Sequence, residues 1–205
     1  MRMETEGVIK FQLSFERTPA RPVNISALMT WREILRRLGL IGQDPQRYHG
    51  LGFGNLSMRT KDGFLVSGSQ TGHIGSPGVE SYSEVFDWQL EDNHVAARGP
   101  VEPSSESLTH AAVYDCVTAA NFVFHVHSPS VWRSAADMSI PKTGAGIEYG
   151  TPAMAREVLR VCKQQVLPGA FVMAGHQDGV VCYGNTAMET GMRLVNLLAE
   201  SLTND

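Results

Sequence analysis

The feature that most constrains the fold of this chain is the recurrence of hairpin turn signals between short segments with strand character. Three strand–turn–strand segments are recognised, at 54–68, 84–98 and 171–184, with turns at Lys61-Asp62-Gly63, Asp92-Asn93 and Gln177-Asp178-Gly179. Gly, Asn and Asp readily adopt the backbone conformations that tight hairpins need. A further strand is predicted over 8–15, where apolar residues alternate. Hairpin strands with helices between them predict a largely antiparallel or mixed sheet covered by helices.

Four segments with helical spacing of apolar residues supply the covering helices. They span 25–40, 105–118, 152–165 and 186–202. The first has Asn24 as its cap and Gly42 near its end, and the third has Pro152 in its first turn. The run WREILRR (31–37) is interpreted as the polar side of the first helix, not as a nucleic-acid-binding cluster.

Composition excludes several classes of function. The 205 residues are 42% hydrophobic and 19% charged, as in an ordinary globular protein, and we expect one domain over 1–205. The net charge of -4 argues against nucleic acid or an anionic membrane as the partner. The N-terminus MRMETEGVIK lacks a signal-peptide pattern, and no apolar run approaches the roughly 18 residues that span a bilayer. Three scattered cysteines without a CxxC pair favour a reducing compartment, so a cytoplasmic location is expected.

The predicted strand FVFHVH (122–127) carries two histidines inside an apolar run. Because His125 and His127 are two residues apart, both side chains leave the same face of the strand, with Cα atoms about 6.5 Å apart. Two imidazoles at that separation can bind one metal ion through nitrogens about 2 Å from it. The alternative is a pair of core histidines satisfied by hydrogen bonds, and this pair alone does not decide between the two.

A third ligand and an acid are available elsewhere in the chain. His176 ends a predicted strand just before a turn, where a side chain can face a cleft, although a turn histidine can also bond the backbone. Glu106 follows Ser104 and Ser105 at a predicted helix start, where a glutamate also complements the helix dipole. The two serines and the amides of that helix start predict an anion site. Two other small polar segments are of the same type, Asn55 in GNLS and the loop SGSQTG (67–72).

Taken in order, four motifs resemble those of the class II aldolase/adducin family. They are GNLS (54–57), PSSE (103–106), HVHS (125–128) and AGHQDGVV (174–181), and the resemblance covers roughly 25–200. The family includes fuculose-phosphate aldolase and ribulose-phosphate 4-epimerase. The resemblance implies an α/β, three-layer α/β/α fold with a mainly antiparallel sheet of about nine strands. It also implies a homotetramer whose active sites lie between neighbouring subunits.

The same resemblance implies a set of site residues. The zinc site of the family falls on His125, His127 and His176, and its catalytic acid, in some members also a metal ligand, falls on Glu106. The phosphate pocket falls on Asn55, Ser69, Ser104 and Ser105, with Ser69 the least secure match. Zn²⁺ is the expected ion, and Mn²⁺, Fe²⁺ or Co²⁺ suits the same donors. His110, one helical turn after Glu106, is expected to lie on the same face and to orient that carboxylate.

The implied activity is cleavage of a small hydroxy-carbonyl compound, with a sugar phosphate as one candidate substrate. Two adjacent substrate oxygens would chelate the metal, which stabilises the enediolate left when the carbon–carbon bond breaks. Glu106 would transfer the proton as general acid and base. The protein is therefore expected to be a metal-dependent aldehyde-lyase of carbohydrate metabolism that acts on a small molecule.

Two departures from the family pattern leave the exact reaction open. SGSQTG stands where aldolases have a TPSG-like loop, so the grip on a phosphate differs. Tyr149 is the sole tyrosine between His127 and Gly150, where aldolases carry a tyrosine that protonates the product, and it is interpreted as a packing or interface aromatic. This segment resembles a bacterial aldolase-like branch of the family. The alternatives are an epimerase or dehydratase on the same scaffold, iron-dependent oxidation, and a non-catalytic adducin-like interaction module.

Overall fold

The architecture is a mixed sheet between two layers of helices, seen in a computed structural model that describes residues 7–163 and 167–203. Its strands are β1 (Gln12–Arg17), β2 (Gly42–Gln43), β3 (Gly52–Phe53), β4 (Asn55–Arg59), β5 (Phe64–Ser67), β6 (Tyr82–Gln89), β7 (His94–Gly99), β8 (Phe122–His127), β9 (Gly169–Val172) and β10 (Gly179–Gly184). The predicted three-layer α/β/α class is confirmed.

The main sheet has eight strands in the described part of the chain, in the order β1-β7-β6-β5-β4-β8-β10-β9. Within it, β1 pairs with β7 in parallel and the other neighbours are antiparallel, so the sheet is mixed but mainly antiparallel, as expected. The resemblance implied about nine strands in one sheet, and eight are seen in the described residues. The short strands β2 and β3 pair with each other and form a separate two-stranded ribbon.

The predicted hairpins are present and their turn residues adopt the conformations expected of them. Strands β4 and β5, β6 and β7, and β9 and β10 are antiparallel neighbours. Asn93 and Asp178 have positive φ angles of 52° and 61°, which these two residue types tolerate better than most. The first strand begins at Gln12 rather than at residue 8, because its parallel register with β7 starts at the pair Gln12 and His94.

The helices of the described residues are α1 (Ser26–Arg37), α2 (Ser107–Cys116), α3 (Pro129–Ser134), α4 (Pro152–Cys162) and α5 (Ala187–Thr203). The N-cap of α1 is Ile25, which makes no side-chain cap bond, and not the predicted Asn24. Asn24 lies one residue earlier, where its Oδ1 accepts from the Ser26 amide over 3.0 Å. The predicted end of α4 at Gln165 lies outside the described residues. Helix α3 was not predicted, since it is only 6 residues long. No helix in the described ranges is long and apolar enough to cross a membrane.

The two faces of the sheet carry different helices and separate apolar cores. Helices α2 and α4 pack together on one face, and α1, α3 and α5 cover the other. Helix α2 is buried from Ser107 to Tyr114 because it lies between the sheet and α4. In β8, Phe124 and Val126 belong to the core under α1, α3 and α5. The alternate residues His125 and His127 therefore face the α2 side, near the start of that helix.

A candidate metal centre and its adjoining pocket

Three buried histidines converge at the end of β8. His125 and His127 lie on adjacent positions of one strand face, and His176 comes from the turn between β9 and β10. That turn is closed by backbone hydrogen bonds from the His176 amide to the Met173 carbonyl and from the Gly179 amide to the His176 carbonyl, each 3.0 Å long. One ring nitrogen of each histidine lies within 4.8 Å of the others, which is the spacing of ligands around a single ion.

His125 and His127 are held in the neutral form that metal binding requires. Burial is the main cause that lowers the pKa of His125 and His127 well below 6.5, and repulsion by His176 adds to it. A hydrogen bond between the His125 ring and the Val180 backbone opposes this lowering of the pKa at His125. An imidazole has two ring nitrogens, so one such bond leaves the other nitrogen to bind a metal ion. The cluster therefore fits a divalent cation bound by three nitrogens.

Glu106 lies beside the triad at the N-terminal boundary of α2. Its Oε1 is 3.5 Å from His176 Nε2, and its Oε2 accepts a 2.8 Å hydrogen bond from Thr109 Oγ1. Only 3% of its surface is exposed. The carboxylate is thus positioned to bind the same cation or to exchange a proton with a group close to it.

Asn55 is placed next to the triad by the register of the sheet, since it lies opposite His125 on β4. Its Oδ1 is 2.6 Å from His110 Nε2, and His110 Nδ1 is 2.6 Å from Ser57 Oγ, which is 2.8 Å from the Tyr114 hydroxyl. Since the amide oxygen only accepts, Nε2 donates to it and Nδ1 accepts from Ser57. The amide nitrogen of Asn55 remains to donate elsewhere.

The prediction that His110 orients Glu106 was wrong, because the His110 ring contacts other residues. Both ring nitrogens of His110 are used by Asn55 and Ser57, and Thr109 contacts the carboxylate instead. Positions i+3 and i+4 are both neighbours of position i on a helix, but here Asn55 and Ser57 on β4 hold the His110 ring, which leaves Thr109 as the side chain that reaches Glu106 Oε2. Burial lowers the pKa of His110 to about 3, so its ring is neutral.

The residues predicted to bind a phosphate lie together in one pocket. Its lining includes Asn55, Ser69, Ser104 and Ser105, and it reaches Glu106 and His125. Backbone bonds bring two distant segments together here, because the Ser104 amide donates to the Ser67 carbonyl and the Ser69 amide donates to the Glu102 carbonyl. Their role in binding stays a prediction.

Arg32 also lines this pocket, and the sequence interpretation missed it. As a member of the run 31–37 it was assigned to the polar side of α1, but only 5% of its surface is exposed. The signal was present in the spacing, since Leu28, Trp31, Arg32 and Leu35 occupy the i, i+3, i+4, i+7 stripe of a helix that faces a core.

A second group missed by sequence reasoning packs against His127. The Tyr48 ring lies 4.6 Å from the His127 ring, and its hydroxyl donates to Asp178 Oδ2 over 2.8 Å. Arg47 Nη2 donates to the Tyr48 hydroxyl over 3.1 Å. Tyr48 and His49 have positive φ angles of 47° and 59°, which are unusual for such side chains. Nothing in the local sequence links this loop to a strand some 80 residues away.

Tyr149 contacts the triad from the other side. Its ring lies 4.7 Å from that of His176, with 1% of its surface exposed, and Lys10 Nζ is 3.8 Å from the ring centre. The side chain therefore packs against a candidate metal ligand.

Comparison with known proteins gives a consistent result. The family model described as "Class II Aldolase and Adducin N-terminal domain" matches residues 44–199. A search of curated proteins returns no match.

Solved structures with the same fold include three of low sequence identity. L-fuculose-1-phosphate aldolase from Thermus thermophilus is 20% identical, with a TM-score of 0.65 over 87% of this chain and 90% of that one. The sugar-phosphate aldolase of Thermotoga maritima is 12% identical, with a TM-score of 0.66 over 87% and 92%. YgbL from Escherichia coli, named as an aldolase/epimerase/decarboxylase, is 16% identical, with a TM-score of 0.64 over 87% and 86%.

Proposed function

Since the chain belongs to the class II aldolase and adducin family, we propose that it is a metal-dependent lyase. It cleaves a carbon–carbon bond in a small hydroxy-carbonyl compound, for which a sugar phosphate is one candidate. The observation that carries this proposal is the buried histidine triad with Glu106 at its edge and a polar pocket beside it.

The proposed metal ligands are His125, His127 and His176, with Glu106 as a possible fourth. Zn²⁺ suits three imidazoles best, and Mn²⁺, Fe²⁺ or Co²⁺ binds the same donor types. When bound, the cation supplies Lewis-acid stabilisation of the negative charge that develops as the carbon–carbon bond breaks.

Glu106 is the proposed general acid and base. Its Oε2 is fixed by Thr109, while Oε1 faces the triad, so one oxygen is held and the other is directed to where a substrate would bind. Burial of the carboxylate excludes competing water. We propose that Oε1 takes the proton from the substrate hydroxyl during cleavage and returns it to the carbon that is left.

The pocket residues are proposed to bind the rest of the substrate. Asn55 donates from its amide nitrogen, and Ser69, Ser104 and Ser105 contribute hydroxyl groups. The active unit is proposed to be a homotetramer, as in the family that the sequence resembles.

An epimerase or dehydratase is the second candidate. The segment from Ser128 to Glu148 contains no tyrosine, so it offers none to protonate a released aldehyde. Epimerisation is also among the activities in the name of the structurally similar YgbL. Product analysis by NMR separates cleavage, inversion and loss of water.

The first experiment is metal analysis of protein purified without added metal, beside the variant His125→Ala/His127→Ala. We expect close to one divalent ion per chain in the wild type and loss of the ion in the variant. A wild type without metal that also fails to bind Zn²⁺ on titration would contradict the enzyme proposal and favour an adducin-like interaction module. With the ion identified, hydroxy-carbonyl compounds with and without phosphate are screened by NMR.

A further inference from the structure

Arg32 is a buried cation in the wall of the proposed substrate pocket. It projects from α1 into the lining that also contains Asn55, Ser104 and Ser105. Its Nη1 donates to the Ile74 carbonyl and its Nη2 to the Thr71 carbonyl, each over 2.9 Å. A guanidinium has five N–H donors, so these two bonds leave donors for another acceptor.

The charge of Arg32 has no counter-ion among the described residues. Its sequence neighbour Glu33 is bound by Arg36 Nε at 2.9 Å and by Arg37 Nε at 2.7 Å, on the exposed side of the helix. No carboxylate in the described ranges forms an ion pair with Arg32. Burial is the main cause that lowers its pKa, yet an arginine stays charged in proteins.

A buried charge without a partner costs several kcal/mol in general, and the cost is offset when an ion of opposite charge binds. The other described lining residues of this pocket are glycines, serines and neutral side chains, with Glu106 as the one carboxylate. Arg32 comes from α1 and is bonded to the Thr71 and Ile74 carbonyls, whereas His125 belongs to β8, so the cationic part of the pocket wall comes from a different element than this metal ligand.

We propose that Arg32 binds an oxyanion group of the substrate, a phosphate or a carboxylate, while the reacting carbon faces Glu106 and the triad. This inference rests on the proposed function and adds a substrate class to it. The bond to the Thr71 carbonyl holds the guanidinium against the loop 67–72, so the same side chain would order Ser69 around the anion. An anion at Arg32 forms charge-assisted hydrogen bonds, which are stronger than neutral ones.

The test is calorimetric titration of the full chain, as purified, with orthophosphate and separately with acetate. The variants are Arg32→Gln and, as matched control from the same helix, Arg36→Gln, whose residue pairs with Glu33 in solvent. We expect saturable binding of one anion per chain in the wild type and in Arg36→Gln, and at least tenfold weaker binding in Arg32→Gln. Tighter binding of phosphate assigns a phosphate substrate, and tighter binding of acetate a carboxylate.

Equal affinity of the wild type and Arg32→Gln, or no binding of either anion by the wild type, overturns the inference. If Arg32→Gln does not fold, phenylglyoxal modification of Arg32 in the wild type, followed by peptide mass spectrometry, decides instead. Saturating orthophosphate, or acetate if that binds more tightly, should slow the reaction at Arg32 and not at Arg36, and an unchanged rate at Arg32 is the contrary result.

The same titration of His125→Ala/His127→Ala separates this inference from the proposed function. Anion binding should survive in that variant because Arg32 is unchanged. Binding that is lost there and kept in Arg32→Gln places the anion at the histidines and overturns the inference alone. A wild type that binds no metal but still shows Arg32-dependent anion binding overturns the lyase proposal and leaves the inference standing.

Discussion

At the scale of single residues, Glu106 has two oxygens in different surroundings. One accepts from Thr109 and the other lies 3.5 Å from His176. The change Glu106→Gln keeps the size of the side chain and removes its ability to carry a proton. We expect turnover of an identified substrate to fall about 10²- to 10⁴-fold, with fold and metal content largely retained. Steady-state kinetics and metal analysis check this, and full activity in the variant would remove Glu106 from the mechanism.

Thr109→Val is a milder change that affects the same carboxylate. It removes the hydrogen bond to Glu106 Oε2 and keeps the carboxylate. We expect a loss in kcat of about tenfold, the size of one hydrogen bond. A loss as large as that of Glu106→Gln would mean that the Thr109 bond itself is essential for the proton transfer.

The buried ring of His110 leads to a separate prediction about stability in acid. Its pKa is about 3 in the folded protein and near 6.5 when unfolded, so below pH 6.5 the unfolded chain takes up a proton that the folded ring does not. The ring therefore contributes a free energy of unfolding that falls as the pH drops from 6.5 to 3, by about 1.4 kcal/mol per unit. Urea unfolding at several pH values gives the free energy of unfolding as a function of pH. Between pH 6.5 and 3, its slope should be smaller in His110→Gln than in the wild type by that amount. An unchanged slope would mean that His110 is not neutral in the folded state.

At the scale of elements, the start of β10 leaves space for the triad. Gly179 lies opposite His127, and a Cβ there would be 2.8 Å from His176 Cδ2 and 3.3 Å from His125 Cε1. Gly179→Ala should displace the His176 ring and weaken Zn²⁺ binding about tenfold, as do changes that disturb ligand orientation. Gly146→Ala is the control, because nothing lies within 4 Å of a Cβ at that position. Zinc titration with a competing chelator measures both, and equal affinities would show that the turn adjusts without cost.

At the scale of the whole molecule, the triad and Glu106 join three parts of the chain that are far apart in sequence. Strand β8, the β9–β10 turn and the start of α2 meet only in the folded state. A cation that binds there stabilises the fold, by about 2.7 kcal/mol at a concentration one hundred times its Kd. We expect added Zn²⁺ to raise the Tm of metal-free protein and to leave His125→Ala/His127→Ala unchanged. Differential scanning calorimetry tests this, and equal shifts in both proteins would place the ion elsewhere.

We also propose that the chain is one domain. The two apolar cores lie on opposite faces of a single sheet, and β8 contributes side chains to both faces. A single cooperative transition in the same calorimetric scan is the expected result. Two separate transitions would mean that the chain consists of two domains.

Much of this structure follows from local signals in the sequence. Turn residues such as Asn93 and Asp178 mark hairpins because they tolerate positive φ, and the alternation in FVFHVH puts His125 and His127 on one face. Helix spacing placed the four main helices to within a few residues. The ordered motifs indicated the family that the comparison then showed. These features depend on near neighbours in the chain, so a sequence determines them by itself.

The tertiary structure decided which groups meet. The spacing in α1 places Arg32 on the buried stripe, but only packing of α1 over the sheet shows that its side chain lies in the pocket wall. His110 lies one turn from Glu106 in sequence, yet the strand β4 brings Asn55 and Ser57 to its ring. Tyr48 reaches His127 across about 80 residues of chain. The contact partners at these positions are set by segments distant in sequence, and no local pattern encodes them.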